Sequence, residues 1–115
     1  HEGYKIFGPE SYIQIIIQAD TLYWGDTEDA DKLAFVEDVI SQALQITGNG
    51  KCTGSDIAHR VNVFAVVFDA EIAAQTILKT LRENNLDIPV VIAVEKGSDI
   101  TVIYPKNFQG EFSLI

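Results

Sequence analysis

The sequence has few of the residues that mark specialised small proteins. Its 115 residues include one cysteine, no methionine, three prolines and eight basic side chains. A single cysteine excludes an internal disulfide and any metal site built on cysteine spacing, and it fits a reducing compartment. No apolar run reaches the roughly 18 residues that cross a bilayer, and no signal-type segment opens the chain. We therefore expect a cytoplasmic protein with neither a disulfide nor a membrane span.

The residues that are present are typical of one globular domain. Hydrophobic residues make up 47% of the chain and charged residues 22%, a balance found in folded rather than disordered proteins. A chain of this length forms one domain, and it can bury a core without disulfides or metals. We expect a single domain over residues 1–115, with a core over about 12–104 and a C-terminal tail over 105–115.

The charge of the chain is strongly one-sided. The formal net charge is −9 and the pI is near 4.4. Nucleic-acid binding depends on Lys and Arg side chains that neutralise phosphates, and an anionic membrane surface repels an acidic protein. We therefore expect no nucleic acid and no membrane as partners, whereas a basic protein would be attracted. The alternative is that the acidity only keeps the protein in solution.

Hydrophobic periodicity predicts five strands and two helices. In Tyr12–Ala19 apolar residues alternate as they do in a half-buried strand. In Glu28–Ile46 they recur at helical spacing, and Gly48 ends the helix. Arg60–Phe68 is apolar on both faces, which is typical of a central strand. The other predicted elements are a weak edge strand at Lys51–Ile57, a helix at Ala70–Asn84 capped by Asp69, a strand at Val90–Glu95, a turn at Lys96–Asp99 and a strand at Ile100–Tyr104.

This order predicts an α+β fold of the ferredoxin-like type. The fold would be a βαββαβ sandwich with an extra C-terminal strand, in which two helices cover one face of an antiparallel sheet. The other face would display Gln14, Ile16, Gln18, Phe64, Val66 and Phe68. That face is apolar enough to need a cover. The C-terminal tail, a second copy in a homodimer through the open sheet face, or a partner could supply it.

The most distinctive segment of the sequence runs from Asp20 to Asp38. It carries seven acidic residues against the single Lys32, and Trp24, the only tryptophan of the chain, lies near its start. Tyr and Trp are enriched as interface anchors, often inside a charged rim. The segment therefore predicts a surface that docks a basic protein. Its partner-binding residues would be Asp20, Tyr23, Trp24, Asp26, Glu28, Asp29 and Asp31.

Two simpler interpretations of this segment remain open. Aromatic residues on a loop after a strand can fold onto the edge of the core, and acids before a helix can be a solvated helix start. A calcium loop is not indicated, because its ordered ligand spacing with a central glycine and a closing glutamate is missing. We expect no metal and no cofactor.

The glycine-rich segment Gly48–Thr53 has part of the pattern of a phosphate-binding loop. Gln45 stands where the first glycine belongs, Cys52 replaces the magnesium-binding hydroxyl, and the segment follows a helix instead of a strand. The segment is better interpreted as a helix stop and turn.

The residues around His59 are the other candidates for chemistry. His59 follows Cys52 and Ser55 by a few positions, but closeness in sequence does not create a nucleophile–base pair. The neighbouring Asp56 and Arg60 more simply tie down a turn. We therefore expect a protein that is not an enzyme.

From Tyr12 to Tyr104 the chain resembles small acidic bacterial proteins with ferredoxin-like folds, including immunity proteins that neutralise toxins. The resemblance rests on the first helix, the glycine-rich stretch Thr47–Asp56, the strand Val61–Phe68 and the acid balance. None of these is a family signature, so no site residue is carried over. The resemblance implies an acidic inhibitor, since many toxins of such systems are basic nucleases.

Three hypotheses follow from the sequence. The first is a non-enzymatic, immunity-type inhibitor that neutralises a basic toxin or nuclease through the acidic, aromatic-containing surface. The second is a dimeric regulatory domain that binds a small ligand near Gly48–Asp56. The third is an enzyme that acts through Cys52, Asp56 or His59.

Overall fold

Apart from one short helix, the elements follow the order that the periodicity predicts. The structure, a computed structural model, describes residues 13–24, 30–57, 59–86, 89–108 and 112. The elements in chain order are β1 (Ile13–Asp20), α1 (Thr21–Trp24), α2 (Ala30–Ile46), β2 (Gly50–Ile57), β3 (Arg60–Val67), α3 (Ala70–Glu83), β4 (Val91–Lys96) and β5 (Asp99–Tyr104). The predicted starts at Tyr12 and Glu28 lie outside the described residues.

The five strands form one sheet in the order β2-β3-β1-β4-β5. Each neighbouring pair is antiparallel. β3, which the sequence predicts as a central strand, lies between β2 and β1 and buries Val61, Val63 and Val67 completely. An α+β class with an antiparallel sheet and two long helices is thus confirmed, and the arrangement is compatible with a ferredoxin-like fold.

The core lies between the two long helices and one face of the sheet. Alternate residues of β1, such as Ile15 and Ile17, meet inward residues of α2 and α3, such as Ile40 and Ile77, in one buried cluster. The period of two in the strand and the helical spacing in α2 and α3 therefore select the same core. Burial of each such aliphatic side chain contributes about 1.5–3 kcal/mol of transfer free energy.

The end of α2 and the start of α3 lie where the sequence predicts them from its glycine and capping residues. The Ile72 backbone N–H donates to the Asp69 side chain at 3.0 Å, which confirms Asp69 as the N-cap of α3. α2 ends before Gly48, whose φ of +71° is the left-handed conformation that glycine adopts without strain. α3 ends at Glu83 with Asn84 as its C-cap, and Asn85 follows with a φ of +59°.

The sheet face opposite the helices is covered at its centre within one chain. Ile16 and Ala93, neighbours on β1 and β4, have no exposed surface, and Gln18 and Asn62 are also buried. Phe64 and Val66 are half-buried on the same face. The centre of this face is therefore shielded from solvent in a single chain, without a second copy. The predicted homodimer through this face stays a prediction.

Candidate functional site

Four of the seven predicted partner-binding residues lie in the described part of the chain. Asp20 ends β1, Tyr23 and Trp24 lie on α1, and Asp31 lies in the first turn of α2. These positions share one end of the sheet, because α1 follows β1 directly and contacts α2. Asp26, Glu28 and Asp29 lie outside the described residues.

Trp24 does not lie on the surface. Its side chain has 0% exposure and belongs to the core cluster. The sequence predicts that Tyr23 and Trp24 lie on a loop after the first strand, but residues 21–24 form α1, which contacts β1, β3 and α2. The prediction of Trp24 as a surface anchor is therefore wrong, and the simpler interpretation, an aromatic folded onto the core, holds for it. Among the described residues, the buried indole Nε1–H has no hydrogen-bond partner.

Tyr23 is half-buried and lies in a groove at the end of the sheet. The groove has a volume of about 370 Å³ and is also lined by Asp20, Arg60, Pro89 and Pro105. Asp20 stands opposite Arg60 in the register of β1 and β3. The groove thus combines an aromatic ring with one acidic and one basic side chain, and both charged side chains are exposed.

The outward side of α2 carries two acids and a half-exposed aromatic ring, with the exposed Lys32 at its margin. Asp31, Phe35 and Asp38 follow one another at intervals of four and three residues, so that they share one side of the helix. Phe35 is 50% exposed, and the Gln42 amide donates to the Asp38 carboxylate at 3.0 Å. We call Asp31, Phe35 and Asp38 the α2 acidic face.

Phe35 was not among the residues predicted for the partner surface, although the helical period of α2 places it outside the core. The buried stripe of α2 contains Leu33, Val36 and Ile40, and Phe35 falls outside that stripe. A large apolar residue outside the inward stripe of an amphipathic helix is exposed, whatever its hydrophobicity. Between two acids, it has the aromatic-and-charge composition that the sequence analysis sought at Trp24.

A row of hydrogen-bonded polar side chains crosses three strands on the face opposite the helices, with Gln18 and Asn62 buried and Asp56 exposed. The Gln18 amide donates to Asn62 Oδ1 at 2.8 Å, and the Asn62 amide donates to Asp56 Oδ1 at 2.9 Å. Each pair is also paired in the strand register. Asp56 therefore ties β2 to β3 through Asn62, across the strands, where the sequence suggests a local turn contact. Because such groups are costly to bury unpaired, the row fixes the strand register.

The glycine-rich segment makes hydrogen bonds and close backbone contacts that stabilise the fold. Asn49 Oδ1 accepts the backbone N–H groups of Phe68 and Asp69, and Asn49 Nδ2 donates to the Asp69 carbonyl at 2.9 Å. A Cβ at Gly50 would lie 2.9 Å from Val67 Cα, closer than side chains tolerate. The segment joins the end of α2 to the start of α3, as the interpretation of a helix stop and turn implies.

Cys52 and His59 do not form a nucleophile–base pair. Burial, reinforced by the nearby Glu37 carboxylate, raises the pKa of the Cys52 thiol to about 12, against the lowering effect of a hydrogen bond with Ser41. A thiol so protonated is a poor nucleophile at neutral pH. Cys52 pairs with Ala65, whereas His59 precedes Arg60 at the other end of β3. Arg60 and Ala65 are about 17 Å apart along the strand, so His59 and Cys52 lie at opposite ends of it.

The described residues contain no group of three or more His, Cys, Asp or Glu side chains placed to hold a metal ion. Within the same part of the chain, no helix is long and apolar enough to cross a membrane. Compared with known proteins, the chain matches no family model, no curated protein and no solved structure.

Proposed function

We propose that this protein is a non-enzymatic binding module that docks a basic protein through the α2 acidic face and the adjoining end of the sheet. The observation that carries the proposal is Phe35, half-exposed between Asp31 and Asp38 in a chain of net charge −9. An aromatic ring supplies apolar contact area, and the acids around it steer a basic partner toward the contact.

The scaffold that we infer is a ferredoxin-like sandwich in which β5 is an extra C-terminal strand. The strand order β2-β3-β1-β4-β5 supports this inference. The order of β2, β3, β1 and β4 in the sheet is the order of the four strands in the split βαβ motif, and β5 adds a fifth strand next to β4. On such a scaffold α2 is held rigidly by its buried stripe, so its outward side chains are presented without a large ordering cost.

The more specific form of the proposal is an immunity-type inhibitor of a basic toxin or nuclease. Carboxylates on one side of a helix can occupy the positions of nucleic-acid phosphates in a basic cleft, where they pair with Lys and Arg side chains. Asp31 and Asp38 supply such carboxylates on α2, and Asp20 and Tyr23 lie in the groove at the end of the sheet. Asp26, Glu28 and Asp29 remain predicted members of this surface.

The alternative of a regulatory domain that binds a small ligand near Gly48–Asp56 has less support. Asn49 is used at the junction of β3 and α3, the Ser55 hydroxyl donates to Glu37 at 3.0 Å, and Asp56 accepts from Asn62. Three polar side chains of that segment therefore already have partners within the protein.

The deciding experiment is a comparison of capture by three immobilised proteins from lysate of the source cell. These are the wild type, the double variant Asp31→Lys/Asp38→Lys on α2, and the control Glu71→Lys/Glu83→Lys on α3. Both variants change the charge equally, and Asp31 and Glu71 are both first-turn acids. We expect a stoichiometric basic protein that elutes with salt, is lost with the α2 variant and is kept with the control.

Two other results would contradict the proposal. Equal loss with both variants would show that only the net charge matters, not a defined surface. Equal retention with both would show that the α2 acidic face makes no contact. Once a partner is identified, Phe35→Ala should weaken its binding by about tenfold or more, as expected for an aromatic anchor.

A further inference from the structure

The two edge strands of the described sheet differ in how they are protected. β2 carries Lys51, Gly50 and Gly54, its pairing with β3 is irregular between Cys52 and Gly54, and α2 packs against it. Charge, glycine, bulges and a covering helix are the means by which proteins prevent an edge from pairing with other chains. β2 therefore has a blunted edge.

β5 has little of this protection. It is six residues long, and five of them, Ile100 to Tyr104, are β-branched or aromatic, the types that favour strand pairing. Its one irregularity lies on the inner side, in the pairing with β4, and neither helix makes extensive contact with it. Ile100 is 40% and Tyr104 37% exposed. No described strand pairs with its outer side.

The charge around β5 selects the kind of partner. Residues 89–108 contain two acids, Glu95 and Asp99, and two bases, Lys96 and Lys106, and Glu71 of α3 lines a cavity together with Thr101 and Ile103 of β5. These charges leave a small negative excess near β5, whereas the whole chain carries −9. A basic protein gains little from this region, and a second copy of the chain meets little repulsion there. The acids of the α2 acidic face lie on another element, and at physiological salt their field decays over about 8 Å.

We propose that β5 pairs antiparallel with β5 of a second copy, so that two five-stranded sheets join into one. A two-fold axis through Val102 places Ile100 opposite Tyr104 of the second copy and Thr101 opposite Ile103 of the second copy. Directly opposite residues then lie on the same face of the joined sheet, as the pleat requires. Pairs between aromatic and β-branched residues stabilise antiparallel strands, and no like charges face each other.

The dimer is weak, because pairing of two six-residue strands buries less than a standard protein interface. We expect the mass from analytical ultracentrifugation to rise from monomer to dimer between about 1 µM and about 1 mM. The variant Ile100→Lys/Tyr104→Lys, which brings lysines together at the edge, should stay monomeric over that range. The control Thr53→Lys/Ser55→Lys on the blunted β2 edge should dimerise like the wild type. Circular dichroism establishes that each variant is folded.

A cysteine at the axis tests the register. Val102→Cys should form a disulfide-linked dimer in the presence of oxidised glutathione, since Cα atoms of directly opposite residues are about 4.5–5.5 Å apart and within disulfide reach. Thr53→Cys should not. The native Cys52 is half-buried, so it competes poorly.

Each of several results would overturn the proposal. These are a wild type that stays monomeric to about 1 mM, a β5 lysine variant that dimerises like the wild type, and a dimer that Val102→Cys fails to link. A further contradicting result would come from amide hydrogen exchange. If every β5 amide were protected to the same degree at low and at high protein concentration, a segment of the same chain would cover the edge. This inference stands apart from the docking of a basic partner, so either can fail alone.

Discussion

At the scale of single residues, Trp24 and Phe35 are the two large aromatic side chains at this end of the protein that differ most in burial. Trp24, on the short helix α1, is fully buried, while Phe35, on the long helix α2, is half-exposed. Periodicity explains the difference. It assigns each position of a long helix to a side, but it cannot place a residue in a short connection between elements, where the local turn decides the direction of the side chain.

The burial of Trp24 predicts a large cost of truncation. Trp24→Ala should lower the free energy of unfolding by about 3–5 kcal/mol, because it removes a large buried side chain and leaves a cavity. Trp24→Phe should cost much less, since it keeps an aromatic ring and removes an N–H for which the described part of the chain supplies no hydrogen-bond partner. Urea unfolding followed by circular dichroism measures both. Phe35→Ala is the matched control, expected within about 1 kcal/mol. If Trp24→Ala were as mild, the indole would not be in the core.

Cys52 predicts a pH dependence with a definite sign. Its pKa is raised from 9.0 to about 12 in the folded protein. Above pH 9 the unfolded chain loses the thiol proton while the folded chain keeps it, so the unfolded state binds fewer protons and stability falls as pH rises toward 12. Urea unfolding at pH 8 and pH 10 should show a steeper loss for the wild type than for Cys52→Ala. Parallel losses would mean that the thiol is not held protonated by the fold.

At the scale of elements, the long helices, the strands and the Asp69 cap were predictable, because each has a repeated pattern or a local capping signal. The boundaries agree to within one or two residues where the structure describes them. The four-residue helix α1 was not predictable, because Thr21–Trp24 is too short to show a period. The hydrogen-bonded row of Gln18, Asn62 and Asp56 was also missed, since cross-strand partners depend on a register that the sequence alone does not reveal.

Strand β2 offers a matched pair of glycines. A Cβ at Gly50 would crowd the backbone of Val66 and Val67, whereas a Cβ at Gly54 would have no atom within 4 Å. Gly50→Ala should therefore destabilise the protein by at least about 1–3 kcal/mol through overpacking. Gly54→Ala should be neutral or slightly stabilising, because it reduces the entropy of the unfolded chain. Thermal unfolding compares the two. Equal costs would contradict the close approach of β2 to β3 at Gly50.

At the scale of the whole molecule, the sequence predicts the acidity but not its distribution. The net charge of −9 follows from composition, whereas the position of the acids on the outward side of α2 emerges only when the helices are placed. Total charge and the position of charge should therefore have separable effects. Stability responds mainly to the first through self-repulsion, and docking responds to the second.

This separation gives the last prediction. Raising the ionic strength from about 0.01 M to about 0.15 M should raise the melting temperature of the wild type, because salt screens the repulsion among its acids. Asp31→Lys/Asp38→Lys and Glu71→Lys/Glu83→Lys each carry −5 instead of −9, since each reversal changes the charge by two units. Both should show the same, smaller rise in scanning calorimetry, although only the first should lose the basic partner. A fall in melting temperature with salt would contradict self-repulsion. A smaller rise for the α2 variant alone would show that the strain of crowded acids is concentrated on the α2 acidic face, where a bound basic partner would relieve it.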